Sequence, residues 1–369
     1  MNRKSPSTTV TESPRPAVRQ RPKIRHVAEY CGVAPSTVSG ILNNRADCFA
    51  SQATRKRVTD AVRKLGYRPN LTARSLAKGK TFTFGLVSTA LDIEPISQTC
   101  MSFEHHAREL GYMCLMSFEP NDQEMENRQI RSLVDRGVDG MFVMPCEHGD
   151  HEQLLDEYRH GMPIVTLDGA NRCDLPVDDV SVDHYTGGCL QAEHILSMGK
   201  KRVLFANSQQ TCWVVEQRLA GARQTLLEAG APEPLRMDCP MPARPLMAWD
   251  HNDHRFVLDY IETHRGEFDA VIGAGDEICL GTVGLLMQAG LRVPEDVIAI
   301  GYDGISLTAN TLCPLSSMQN PAGTIGETAV NLLLDQIKNK AADRPVKQIK
   351  IPPTLIARAS TLGKGHSVT

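Results

Sequence analysis

At 369 residues, with 41% apolar and 22% charged residues, the chain is too long for one ordinary domain and has the composition of a soluble globular protein. No apolar run approaches the roughly 20 residues of a membrane-spanning helix. The basic N-terminus lacks the hydrophobic segment of a secretory signal, so a cytoplasmic protein is expected. The net charge of −3 hides an asymmetry: residues 1–80 hold 17 Lys and Arg against 4 Asp and Glu, a net of +13, and the remainder is acidic. A basic module joined to an acidic body points to a polyanion partner. Eleven cysteines occur singly, with no CxxC pair, which fits reduced thiols and no structural zinc framework.

Residues 1–23, rich in Ser, Thr, Pro and Arg and without periodicity, read as a disordered basic tail. Three helical patterns follow within 24–68. Ile24, Val27, Ala28 and Cys31 share one face and end at Gly32; Val38, Ile41 and Leu42 share another; Val58, Ala61, Val62 and Leu65 run up to Gly66. Ala28 is small enough for a close helix crossing, Gly32 is free to take a positive φ in the turn, and Pro35 suits the first turn of the second helix. Together these predict a helix-turn-helix, whose second helix lies in the major groove of DNA.

The stretch 69–80 is a short polar linker with helical spacing, in which Ala73, Leu76 and Ala77 share a face. From residue 81 onward, strand-length apolar runs alternate with amphipathic helices: FGLVS, MCLMSF, GMFVM, PIVTLD and VSVD, then RVLFANS, AVIGAG and VIAIGYD. This alternation predicts α/β architecture with parallel sheets covered on both faces, and its length calls for two lobes. Two such lobes leave a ligand cleft at the carboxyl ends of their strands.

These segments, with VAEYCGVAPSTVSGILN, TRKRVTDAVRKLGYRPN, ARSLAKGKT, GLRVPEDVIAIGYD and the closing IARAST, closely resemble the LacI/GalR family of bacterial repressors over residues 24–361. The resemblance implies a helix-turn-helix head (24–68), a hinge helix and linker (69–80), and a two-lobed body like a periplasmic binding protein for effector binding and dimerisation (81–369). It places one lobe at about 81–168 and 321–343 and the other at about 169–320 and 344–361. It implies that Pro35, Ser36 and Gly40 face base edges, and that Thr37, Ser39, Asn43, Tyr67 and Asn70 complete the head's contacts. Leu76 becomes a minor-groove wedge beside the phosphate-reaching Arg74 and Lys78. Three departures stand out: Ala34 and Gly40 replace the usual Ser and Arg, and the loop NRADCFAS looks about two residues longer. Gly40 is expected to allow close approach to the DNA backbone and to read no base.

For the body, the resemblance implies effector contacts from Asp168, Arg218, Asp276 and Asp303, with Pro95, Ile96 and Trp213 as apolar walls. Carboxylates accept from vicinal hydroxyls and Arg donates to ring oxygens or an anionic group, so a sugar or related metabolite is the expected effector. An Asp at a strand end can equally cap a helix. The rival reading is a sugar receptor of the same fold without a DNA role. GAGDEICLG lacks a third glycine at dinucleotide-binding spacing, and no nucleophile elbow or phosphate loop occurs. HGDH and HNDH read as polar loop or helix-start residues. No catalytic residue, cofactor or metal is therefore expected. The expected partners are a two-fold symmetric DNA operator, the effector and a second copy of the chain.

Overall fold

The computed structural model describes residues 22–43, 48–68, 79–88, 90–118, 122–146, 149–169, 173–208, 212–239, 251–339 and 345–363. The chain divides into two units, Met1–Thr81 and Phe82–Thr369.

In the first unit, helices α1 (Ile24–Cys31), α2 (Pro35–Leu42) and α3 (Gln52–Leu65) pack around Val27, Ala28, Cys31, Val38, Ile41, Val58, Ala61 and Tyr67. Gly32 and Gly66 end α1 and α3 in the left-handed region, at φ 60° and 65°, where a side chain would be strained. Ser51 caps α3 by accepting the Thr54 N–H, whereas Ala34 offers α2 no side-chain cap.

The second unit begins with β1 (Thr83–Ser88), α4 (Glu94–Glu109), β2 (Met113–Phe118), α5 (Gln123–Asp135), β3 (Gly140–Val143), α6 (Glu152–Arg159), β4 (Ile164–Leu167) and β5 (Asp178–Val182). It continues with α7 (His184–Ser197), β6 (Val203–Ser208), α8 (Trp213–Glu228), β7 (Leu235–Cys239), α9 (His251–Thr263), β8 (Ala270–Gly273), α10 (Asp276–Gln288), β9 (Ile298–Asp303) and β10 (Ser316–Gln319). It closes with α11 (Ala322–Asn339), β11 (Gln348–Ile351), β12 (Thr354–Ile356) and α12 (Ala359–Leu362).

The strands form two six-stranded sheets of like order, β2-β1-β3-β4-β5-β11 and β7-β6-β8-β9-β10-β12. All neighbours pair in parallel except β10 with β12. Alternate residues explain why each sheet is covered twice: Phe84 and Leu86 enter one core while Val87 enters the opposite one, and Leu204 and Ala206 oppose Val203 and Phe205.

The chain crosses between the lobes after β5, after β10 and between β11 and β12. The first crossing therefore falls at 183, and the boundary expected at 168 is corrected. β5 pairs with β4 on one side and β11 on the other, so 178–182 and 348–351 both belong to the first lobe.

Helices α7 and α8 meet backbone to backbone. A Cβ on Gly188 would overlap the Arg218 carbonyl oxygen, and one on Gly221 the Tyr185 carbonyl oxygen. This crossing sets the His184 and Arg218 side chains against one another. Gly221→Ala is expected to lower stability by about 1–3 kcal/mol through overpacking. Urea unfolding checks it, and an unshifted midpoint would contradict this account of the crossing.

Candidate effector cleft and DNA-reading head

Arg218 lies in α8, one turn and a half beyond its start, and is 6% exposed. Its Nη2 donates to Asp303 Oδ1 at 3.2 Å, its Nη1 donates to the Ala274 carbonyl just past β8, and its Nε donates to His184 Nδ1 at 3.4 Å. The guanidinium carbon sits 3.5 Å from the centre of the Tyr302 ring. A buried guanidinium is tolerable only with such compensation. The cluster lies beside β6 and β8, where the strand order of the second sheet reverses, which is where open α/β sheets bind ligands.

Because His184 Nδ1 accepts from Arg218, its proton sits on Nε2, 3.6 Å from Asp168 Oδ2. Burial holds the imidazole below its usual value, more strongly than Asp168 raises it, so His184 is neutral. Asp168 belongs to the first lobe, at φ 58°, and its Oδ1 is buried without a hydrogen-bond partner among the described residues. Burial also raises the Asp303 carboxyl, with Arg218 opposing the shift. The Trp213 ring meets His184 edge-on, with centroids 6.0 Å apart.

The cleft thus joins Asp168, Arg218, Asp303 and Trp213 through His184. Asp276 stands differently. Gly275, not Asp276, is the N-cap of α10, and both Asp276 oxygens hold protein donors, the Ser317 hydroxyl at 2.6 Å and the Ile305 N–H at 2.9 Å. At 1% exposure it clamps the loop that follows Asp303. Burial first, then the Asp303 charge, push its carboxyl up to about 8. Pro95 is buried at the start of α4, and Ile96 packs partly into the first-lobe core. Sequence reasoning passed over their neighbour Glu94, whose Oε1 accepts the Ser306 N–H at 3.0 Å and hydroxyl at 2.7 Å and so links the lobes. It also passed over His184 and Tyr302. An acid beside a helix-starting proline and a His directly after a strand were the available signals.

In the head, Pro35 and Ser36 are exposed, and Thr37, Ser39 and Asn43 are half-buried. Asn43 Nδ2 is spent on the Ser39 carbonyl and hydroxyl at 2.9 and 3.3 Å. Tyr67 is 9% exposed and its ring packs in the head's core. Asn70, Arg74, Leu76 and Lys78 lie outside the described residues.

Comparison with known proteins identifies the family. Residues 23–70 match the family model "Bacterial regulatory proteins, lacI family", and 192–361 match "Periplasmic binding protein-like domain". The chain is 30% identical over 348 residues to the HTH-type transcriptional repressor PurR of Aliivibrio fischeri, covering 92% of this chain and 98% of that protein. The chain belongs to the LacI family.

Other members are similar along nearly their whole length. The ribose operon repressor of Escherichia coli is 27% identical over 91% of this chain and 99% of its own. The lac repressor dimer bound to operator and the anti-inducer ONPF superposes with a TM-score of 0.77 at 23% identity, covering 93% and 100%. A CelR–cellobiose complex gives 0.63 at 25% identity, covering 92% and 100%. As a LacI-family member the chain is a DNA-binding repressor controlled by a bound ligand, and the rival receptor reading falls away with the matched head. The curated relatives named are transcriptional repressors. Among the described residues, no helix is long and apolar enough to cross a membrane.

One LacI-family departure is now explained. Gly40 is buried, so it neither faces a base edge nor brings the DNA backbone close, as had been expected. A Cβ there would stand 2.9 Å from Cys48 Sγ and 3.0 Å from Cys48 Cβ. Cys48 lies on the connection between α2 and α3, where Arg55 fixes it by donating to the Cys48 carbonyl at 2.8 Å. Cys48 occupies the space beside Gly40. Gly40→Arg is therefore expected to weaken binding on every DNA sequence without a new guanine preference. In a Cys48→Gly background, Gly40→Ala should become stabilising by up to about 1 kcal/mol, the ordinary helix preference. Selection from a random DNA library and thermal unfolding check both; a tighter, guanine-preferring Gly40→Arg protein would contradict this reading.

Proposed function

We propose that this repressor works as a homodimer on a two-fold symmetric operator in the cytoplasm, without catalysis or cofactor, and is switched by a neutral polyhydroxylated effector of the sugar class. The observation that carries the effector class is the charge balance of the cleft. Asp303 already neutralises Arg218, His184 is neutral, and Asp168 adds a carboxylate with one buried oxygen unpartnered among the described residues.

Such a site has acceptors to offer and no cation to spare. Hydroxyl groups satisfy it by donating to Asp168 and Asp303 and accepting from His184 Nε2–H, with the half-buried Trp213 as an apolar side. A phosphate or carboxylate ligand would have to sit beside a carboxylate in a low-dielectric cleft, which repels it. The cellobiose named in the CelR complex is a ligand of this chemistry. Pro35 and Ser36 are the exposed helix positions available to base edges. Together they supply little hydrogen-bond readout, which leaves specificity to the expected Leu76 wedge and DNA deformability.

Thermal shift against neutral sugars, sugar phosphates and purine bases tests this reading. A neutral sugar at 100 times its Kd is expected to add about 2.7 kcal/mol. Asp168→Asn should weaken that sugar by about 10–100-fold, the loss of one charge-assisted hydrogen bond. Operator binding by the ligand-free protein should persist. Stabilisation by a sugar phosphate or a purine, with no neutral sugar active, would overturn the assignment.

A further inference from the structure

The first lobe carries a second cluster of ligating side chains that neither DNA nor effector recognition uses. Glu126 lies in the first turn of α5, Cys146 follows the end of β3, and His151 immediately precedes α6. Their ligating atoms all lie within 4.8 Å of one another, and the residues are 3%, 1% and 1% exposed. Glu126 Oε1 is 2.9 Å from His151 Nδ1, and its Oε2 accepts the Cys146 backbone N–H at 2.6 Å. Cys173, on the loop after β4, lies beside them and donates its thiol to the Cys146 carbonyl at 3.6 Å. His151 has a left-handed backbone, φ 52°.

A Glu–His ion pair accounts for two of these groups. It does not account for a thiol within ligating distance of both. Nor does it account for His151 Nε2, which is buried without a hydrogen-bond partner among the described residues. Leaving a buried polar atom unsatisfied is costly, and holding a non-glycine residue in the left-handed region adds to the cost.

We propose that Glu126, Cys146 and His151, with Cys173 beside them, form a binding site for a divalent cation of the zinc class. The donor set decides the class: thiolate, imidazole and carboxylate suit a borderline-soft ion that accepts four ligands tetrahedrally, whereas magnesium and calcium require oxygen cages. On binding, the Cys146 thiol releases its proton to solvent and forms a sulfur–metal bond, and His151 binds through a deprotonated ring nitrogen. The site has a bearing on the cleft. Cys173 lies five residues beyond Asp168, and the Cys173 and Leu175 N–H groups both donate to the Gly169 carbonyl, at 3.0 and 3.4 Å. A cation at this cluster ties down the loop that carries Asp168.

The test is titration of the full-length protein with cobalt(II), then displacement by zinc(II) in competition with a chromogenic chelator. The expected result is one ion per chain, with a thiolate-to-cobalt charge-transfer band that zinc abolishes. Cys146→Ser should remove that band. Glu126→Gln, which keeps the side chain's size and serves if the serine variant does not fold, should weaken zinc by about 100-fold or more. Cys114→Ser, away from the cluster, should change neither. Absence of the band in the wild-type protein overturns the proposal, as does zinc binding that Cys146→Ser and Glu126→Gln both leave intact.

Discussion

Everything in the body is arranged around one buried positive charge. The Arg218 guanidinium has left water, and its cost is offset only by acceptors arriving from three separate places: Asp303 at the end of β9, Ala274 past β8 and His184 at the start of α7. Each acceptor has its own support. Asp276 fixes the loop beyond Asp303, and the glycine crossing of α7 and α8 sets His184 at the right distance. Tyr302, fully buried, gives the guanidinium a ring face to lie on. Arg218 is paired with Asp303, and Asp168 approaches His184 from the other lobe; the proposed hydroxyl-rich effector rests on that arrangement.

The head follows a different logic, in which packing sets helix composition. Cys48 packs onto α2, and a Cβ at position 40 would stand 2.9 Å from its Sγ. The helix gives up roughly 1 kcal/mol of propensity to accommodate Cys48. A position that reads as a missing DNA contact in sequence is a packing contact in the fold.

Much of this was legible in the sequence because it rests on periodicity. The apolar seam of the head, its two left-handed glycines and the strand–helix alternation of both lobes are local patterns, and the cores follow them residue by residue. What was hidden depends on partners far away in the chain. Strand β5 looks like the start of the second lobe until its pairing with β4 and β11 is known. His184 matters only because α8 crosses α7, Glu94 only because Ser306 comes to meet it, and Gly40 only because Cys48 packs against it. Asp276 is legible as an acid at a helix start, but its partners, Ile305 in the loop after β9 and Ser317 within β10, are ones that no local spacing connects to it.

The central claim is that the Arg218–Asp303 pair frames the cleft, and a double-mutant cycle in ligand-free protein tests it most directly. Arg218→Met strands a half-buried carboxylate against a cavity in the body and is expected to cost about 3 kcal/mol by urea unfolding. Adding Asp303→Asn removes the stranded charge, so the double variant should be more stable than the sum of the single changes requires, with a coupling of about 2 kcal/mol. Additive losses within about 0.5 kcal/mol would mean that the two side chains act independently, and would contradict the account.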